Sequence, residues 1–112
     1  MTPGLRQAID TECTQSREAE AVGRADQAFH HLERAHILSQ RDTVAHVRSH
    51  LLMWGWAWRQ RRPREILGQT TRILAAALFS RIWVPEGNTG GANVSAVKPM
   101  PIPADLRDLL SR

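Results

Sequence analysis

The chain has 112 residues, 42% of them apolar, with 15 Lys plus Arg against 11 Asp plus Glu. That length suits one domain, which buries roughly two thirds of the surface its unfolded chain exposes, so a core forms without staples or bound ligands. A single cysteine, Cys13, excludes an internal disulfide framework and any paired-cysteine zinc or redox site. No apolar run approaches the ~18 residues of a membrane span and no secretory pattern opens the sequence, so a cytoplasmic protein with no membrane association is expected.

Residues 4–84 hold only four glycines and one proline, Pro63, among long spans of Ala, Leu, Gln, Glu and Arg. They read as helix, and no period-two strand pattern stands out. The first helix starts at Thr2 as N-cap with Pro3 at N1 and runs to about Val22, before Gly23. Its apolar face is made of small side chains: Ala8, Cys13, Ser16 and Ala19 beside Leu5 and Ile9. A second helix spans about Ala25 to Leu38, with Ala28, Leu32 and Ala35 on one face.

The third helix begins at Asp42 or Thr43, both competent caps, and continues through Val47, Leu51, Trp54 and Trp58 to about Arg61. Pro63 opens a fourth, whose Ile66, Leu67, Ile73, Leu74, Ala77, Leu78, Ile82 and Trp83 predict the most buried helix of the fold. Pro85 and Gly87 end it. The segment from Glu86 to Ser95 cannot sustain a helix, and prolines at 99, 101 and 103 keep the next stretch extended. A short closing helix carries Leu106, Leu109 and Leu110. The expected architecture is all-α: two antiparallel helical hairpins forming a helical domain over residues 1–84, with a Gly/Pro-rich C-terminal tail, 85–112, packed on the same domain.

The run GRADQAFHHLERA, residues 23–35, resembles half of a tetratricopeptide repeat, in which small, large and small residues let antiparallel helices nest. The whole chain also resembles a small uncharacterised bacterial family, domain of unknown function 3703, through HLERAHILSQ (31–40), HVRSHLLM (46–53) and FSRIWVPEGNTGGANVSAVKPMPIP (79–103). That resemblance implies no established activity, so the chemistry rests on the residues.

All five histidines lie between positions 30 and 50. His46 and His50, one turn apart on one helix, have the spacing that gives two imidazoles to one metal. Glu33 and His36 form an ExxH pair on the preceding helix, and a turn near Gln40 and Arg41 brings His36 beside His46. The candidate ligand set is His36, His46, His50 and Glu33, three nitrogens and an oxygen suited to zinc, iron, nickel or copper. The same histidines can instead be hydrogen-bonded core residues sharing a stripe with Trp54 and Trp58. His30 and His31 read as surface residues. A nucleophile for catalysis is lacking, since Cys13 reads as a small buried thiol.

Trp56 points about 200° away from Trp54 and Trp58, so its face is expected to meet a protein partner or a second copy in a homodimer. Arg59, Arg61, Arg62 and Arg64 follow, but four arginines at a helix junction favour a solvated turn over nucleic-acid binding. Asn88, Thr89, Gly90 and Gly91 have the composition of an anion-binding nest, and equally of a tight loop fitted against the fourth helix. The expected function is a small non-catalytic binding protein holding a transition metal through the histidines. The alternative is a cofactor-free interaction module.

Overall fold

The computed structural model describes residues 1–79, 86–95 and 98–112, apart from the side chains of Ala76, Ala77 and Phe79. Among these, the protein is all-α, with helices α1 (Pro3–Ala21), α2 (Ala25–Ser39), α3 (Thr43–Arg59), α4 (Pro63–Phe79) and α5 (Ala104–Ser111), and no strand. Of the residues expected on the fourth helix or ending it, the side chain of Ala77 and the whole of Ile82, Trp83 and Pro85 lie outside what is described.

Local chemistry sets the helix ends. The Thr2 hydroxyl accepts from the Leu5 N–H with Pro3 at the first turn, and the Asp42 carboxylate accepts from Ala45 N–H at 2.9 Å, each using a donor that the helix itself leaves unpaired. Gly23 follows α1 with φ +80, a conformation that disfavours any residue with a Cβ. Pro103 is the N-cap of α5.

Successive helices pack on one another, α1 on α2, α2 on α3 and α3 on α4, and α5 lies across α1 and α2. The small face of α1 allows close approach: Ser16 is buried and donates to the Ala28 carbonyl of α2. One apolar cluster joins Ile9, Cys13, Ala35, Ile37, Leu38 and Leu106; a second joins Ala19, Ala28, Leu32, Met53, Trp56 and Ala57. Burying a side chain such as Leu38 or Met53 contributes roughly 1.5–3 kcal/mol.

Two expectations reverse. Trp56 is only 3% exposed, its ring against Phe29 and its indole N–H donating to the Ala25 carbonyl, so it is a core residue and not an outer face. Trp58 is 56% exposed and Trp54 lies at the surface beside it. The cause is helical drift: steps of four residues advance 400°, so the series 46, 50, 54, 58 rotates about 40° per step and leaves the core face after His50. The core stripe instead alternates steps of three and four, through His46, Ser49, His50, Met53, Trp56 and Ala57. Nor is α4 uniformly buried: Leu67, Leu74 and Leu78 are exposed, while among the described residues the fully buried α4 side chain is the polar Gln69.

Candidate metal centre

Histidines from two helices converge on one point. His36 is on the last full turn of α2, and His46 and His50 are one turn apart on the core face of α3. All three are buried. Their Nε2 atoms form a near-equilateral triangle, with His36 to His46 at 3.0 Å, His36 to His50 at 3.1 Å and His46 to His50 at 3.2 Å.

The outward-facing nitrogens decide what the inward-facing ones can do. His36 Nδ1 is 2.9 Å from the Asn88 carbonyl, which only accepts, so the proton sits on Nδ1 and Nε2 presents a bare lone pair. His50 Nδ1 is 2.6 Å from Gln69 Oε1, and the Gln69 amide nitrogen donates to Glu65 and to the Gly90 carbonyl, each at 2.7 Å. That orientation makes Oε1 the acceptor and leaves His50 Nε2 bare as well. Two lone pairs thus face each other at 3.1 Å. A single proton on His46 Nε2 can serve one of them, and His46 Nδ1 is itself buried without a hydrogen-bond partner.

Burial holds the cluster neutral. It pushes the His36 pKa well below its ordinary value, helped by the two neighbouring imidazoles, and lowers both His46 and His50 to about 4. Neutral imidazoles are the form that binds metal. The triangle also has the right size. Its side of about 3.1 Å divided by √3 puts each nitrogen about 1.8 Å from the centre, so an ion ~2.0–2.1 Å from all three stands about 1 Å off their plane, with N–ion–N angles of about 98°, between those of a tetrahedral and an octahedral site.

A family model described as "Protein of unknown function (DUF3703)" matches residues 3–110. The chain belongs to this family. Neither a curated protein nor a solved structure matches it.

In this DUF3703 chain the segment after α4 closes the site. Gly90, with φ +83, lies over the His36 imidazole so closely that a Cβ would stand 2.7–2.8 Å from its ring atoms. The buried Asn88 side chain fixes the loop, accepting from Gly90 N–H and donating to the Ser95 and Lys98 carbonyls. Ala92 N–H donates to the Glu65 carboxylate, 2.9 Å from its nearer oxygen. Two N–H groups of the glycine loop therefore turn inward to Asn88 and Glu65, and its chemistry is that of a cover over histidines.

Glu33 stands outside the histidine group. Its carboxyl, 19% exposed, borders a groove of about 660 Å³ with Phe29, Trp56, Glu65, Ala92 and Asn93. Burial pushes its pKa up, while the nearby Thr89 and His30 draw it back. Cys13 is in the α1 core, apart from the histidines, its thiol pKa raised by burial. His31 is half-buried, with Nδ1 2.9 Å from Glu12, a carboxylate that Arg34 also grips. Gln69 is the residue around the histidines that the sequence alone did not single out, whereas Asn88 and Gly90 stood out there as part of a candidate anion nest and not as neighbours of the histidines. The one available signal was a glutamine among apolar residues on α4.

Proposed function

We propose that the protein binds one transition-metal dication, such as zinc, iron, nickel or copper, through Nε2 of His36, His46 and His50, as a non-catalytic binding protein of the cytoplasm. The observation that carries this is the pair of bare Nε2 lone pairs of His36 and His50, 3.1 Å apart, with tautomers set by Asn88 and Gln69. A cation at the centre satisfies both of these and His46 Nε2 at once, whereas a proton on His46 Nε2 serves only one of them. Glu33 serves as an outer carboxylate, not a ligand in this geometry. Residues 1–84 and 85–112 act as one domain of tetratricopeptide-like hairpins, since residues on the tail complete the shell of helix-borne histidines.

Isothermal titration with zinc tests the reading. The expected result is one ion per chain, with affinity about 100-fold lower in His46→Ala and in His50→Ala. Equal binding by wild type and both variants would sink it.

A second reading concerns association. Trp54 and Trp58 on α3, and Leu67, Leu74 and Leu78 on α4, are exposed apolar side chains, and they suit contact with a second copy better than the buried Trp56 does. Light scattering is expected to give a dimer mass that Trp58→Glu reduces to the monomer; a monomeric wild type would contradict it.

A further inference from the structure

The segment that covers the histidines is seated on one stripe of α4. Glu65, Gly68, Gln69 and Arg72, at positions i, i+3, i+4 and i+7, all meet residues between 90 and 94. Glu65 accepts from Ala92 N–H, Gln69 donates to the Gly90 carbonyl, and Arg72 donates to the Val94 carbonyl. Gly68 approaches so closely that a Cβ there would stand 2.5 Å from that of Ala92.

Glu65 is the member of this stripe that ties the loop to a candidate ligand. Its Oε2 accepts from the Gln69 amide nitrogen at 2.7 Å, and Gln69 Oε1 accepts from His50 Nδ1 at 2.6 Å. A Gln69 amide turned over would present a donor to His50 Nδ1 and move the imidazole proton to Nε2, where it blocks a metal. Two acceptors hold the amide against that turn: Glu65 Oε2 and the Gly90 carbonyl, each 2.7 Å from its nitrogen. The second is itself kept in place by Glu65, whose two carboxylate oxygens lie 3.1 and 2.9 Å from Ala92 N–H, two residues along the same loop. One half-buried carboxylate therefore stands behind both acceptors.

Resting on the metal reading above, we propose that Glu65 is a positioning residue of the tri-histidine centre: it fixes the Gln69 amide so that His50 presents a bare Nε2, and with the same carboxylate it latches the loop over His36. Closure of the cover and readiness of the ligand are then one event. Glutamine is no substitute, because wherever its oxygen is placed its own amide N–H group faces a donor, either Ala92 N–H or the Gln69 amide.

Long-range proton–nitrogen NMR of imidazole-labelled, metal-free protein at neutral pH reads which ring nitrogen carries the proton. The expected result in wild type is Nδ1–H for both His36 and His50. In Glu65→Gln, His50 is expected to carry its proton on Nε2 in about half of the molecules or more, and zinc affinity by isothermal titration to fall about tenfold or more. Nε2–H on wild-type His50, an unchanged His50 tautomer in Glu65→Gln, or zinc affinity within about threefold of wild type would each overturn the proposal. The wild type also supplies a check that needs no variant. Zinc is expected to slow hydrogen exchange of the Ala92 amide about tenfold more than that of Leu5, whose N–H is capped by Thr2 on α1. Equal slowing at both amides would overturn the link between cover and ligand. Failure of zinc to bind the wild type at all would overturn the metal reading and this proposal with it.

Discussion

Gly90 shows how much one residue carries. Gly23 and Gly90 share a positive φ, +80 and +83, yet nothing stands within 4 Å of a Cβ at Gly23, whereas at Gly90 it would meet the His36 ring at 2.7 Å. Gly23→Ala therefore costs only backbone strain, about 1–2 kcal/mol. Gly90→Ala adds displacement of an imidazole from its carbonyl partner, so a loss of roughly 2–4 kcal/mol is expected together with at least tenfold weaker zinc binding. Urea unfolding and zinc titration of the two variants separate these effects; similar zinc affinity in both would contradict the role given to Gly90. Residue spacing made the three histidines legible in advance: the four-residue step puts His46 and His50 on one face, and the short turn brings His36 to them. Glu33 misled because an ExxH step fixes proximity along a helix but not direction, and here the carboxylate turns to the groove beside Glu65.

At the scale of elements, the caps made the sequence readable. Thr2, Pro3, Asp42 and Pro63 have local reasons to start helices, and the helices start there. Helix faces were less legible, because a face depends on cumulative rotation and on what else packs. The row His46, His50, Trp54, Trp58 looked like one stripe, but drift carries the tryptophans to the surface. On α4 the buried position went to Gln69 because its amide joins three partners from α3, α4 and the cover loop, a tertiary requirement that no hydrophobic pattern expresses. The cover loop was legible as irregular and not as part of the site. Its purpose lies in bonds to residues 21 to 52 positions away, from Gly90 with Gln69 to Asn88 with His36.

For the molecule as a whole, three buried neutral histidines couple stability to pH and to metal. His46 and His50 titrate near 4 when folded, against an ordinary 6.5. The unfolded chain thus binds more protons between those values, and stability of the metal-free protein is full above about 6.5 and falls as pH drops towards 4. The loss is on the order of 3 kcal/mol per residue, large against the 5–15 kcal/mol typical of a domain. The extra protons bind the unfolded chain, and the folded histidines are already neutral in this range, so zinc is expected to raise the urea midpoint by a similar amount at pH 7 and at pH 5, with the midpoint falling between them both with zinc and with chelator. A midpoint that does not fall from pH 7 to 5 in the metal-free protein would contradict the coupling to protons, and one that zinc leaves unmoved would contradict the coupling to metal. The fold has two apolar clusters of its own, so an ion bound at the histidines would add stability to a chain that already has a core.

The central claim is the convergence of three imidazole nitrogens on one ion. X-ray absorption at the zinc edge, on protein loaded with one equivalent, tests it most directly. Three nitrogens at ~2.0–2.1 Å with the outer-shell scattering of imidazole rings are expected, plus at least one further light atom. A first shell of oxygens, or one with a single imidazole, would contradict it.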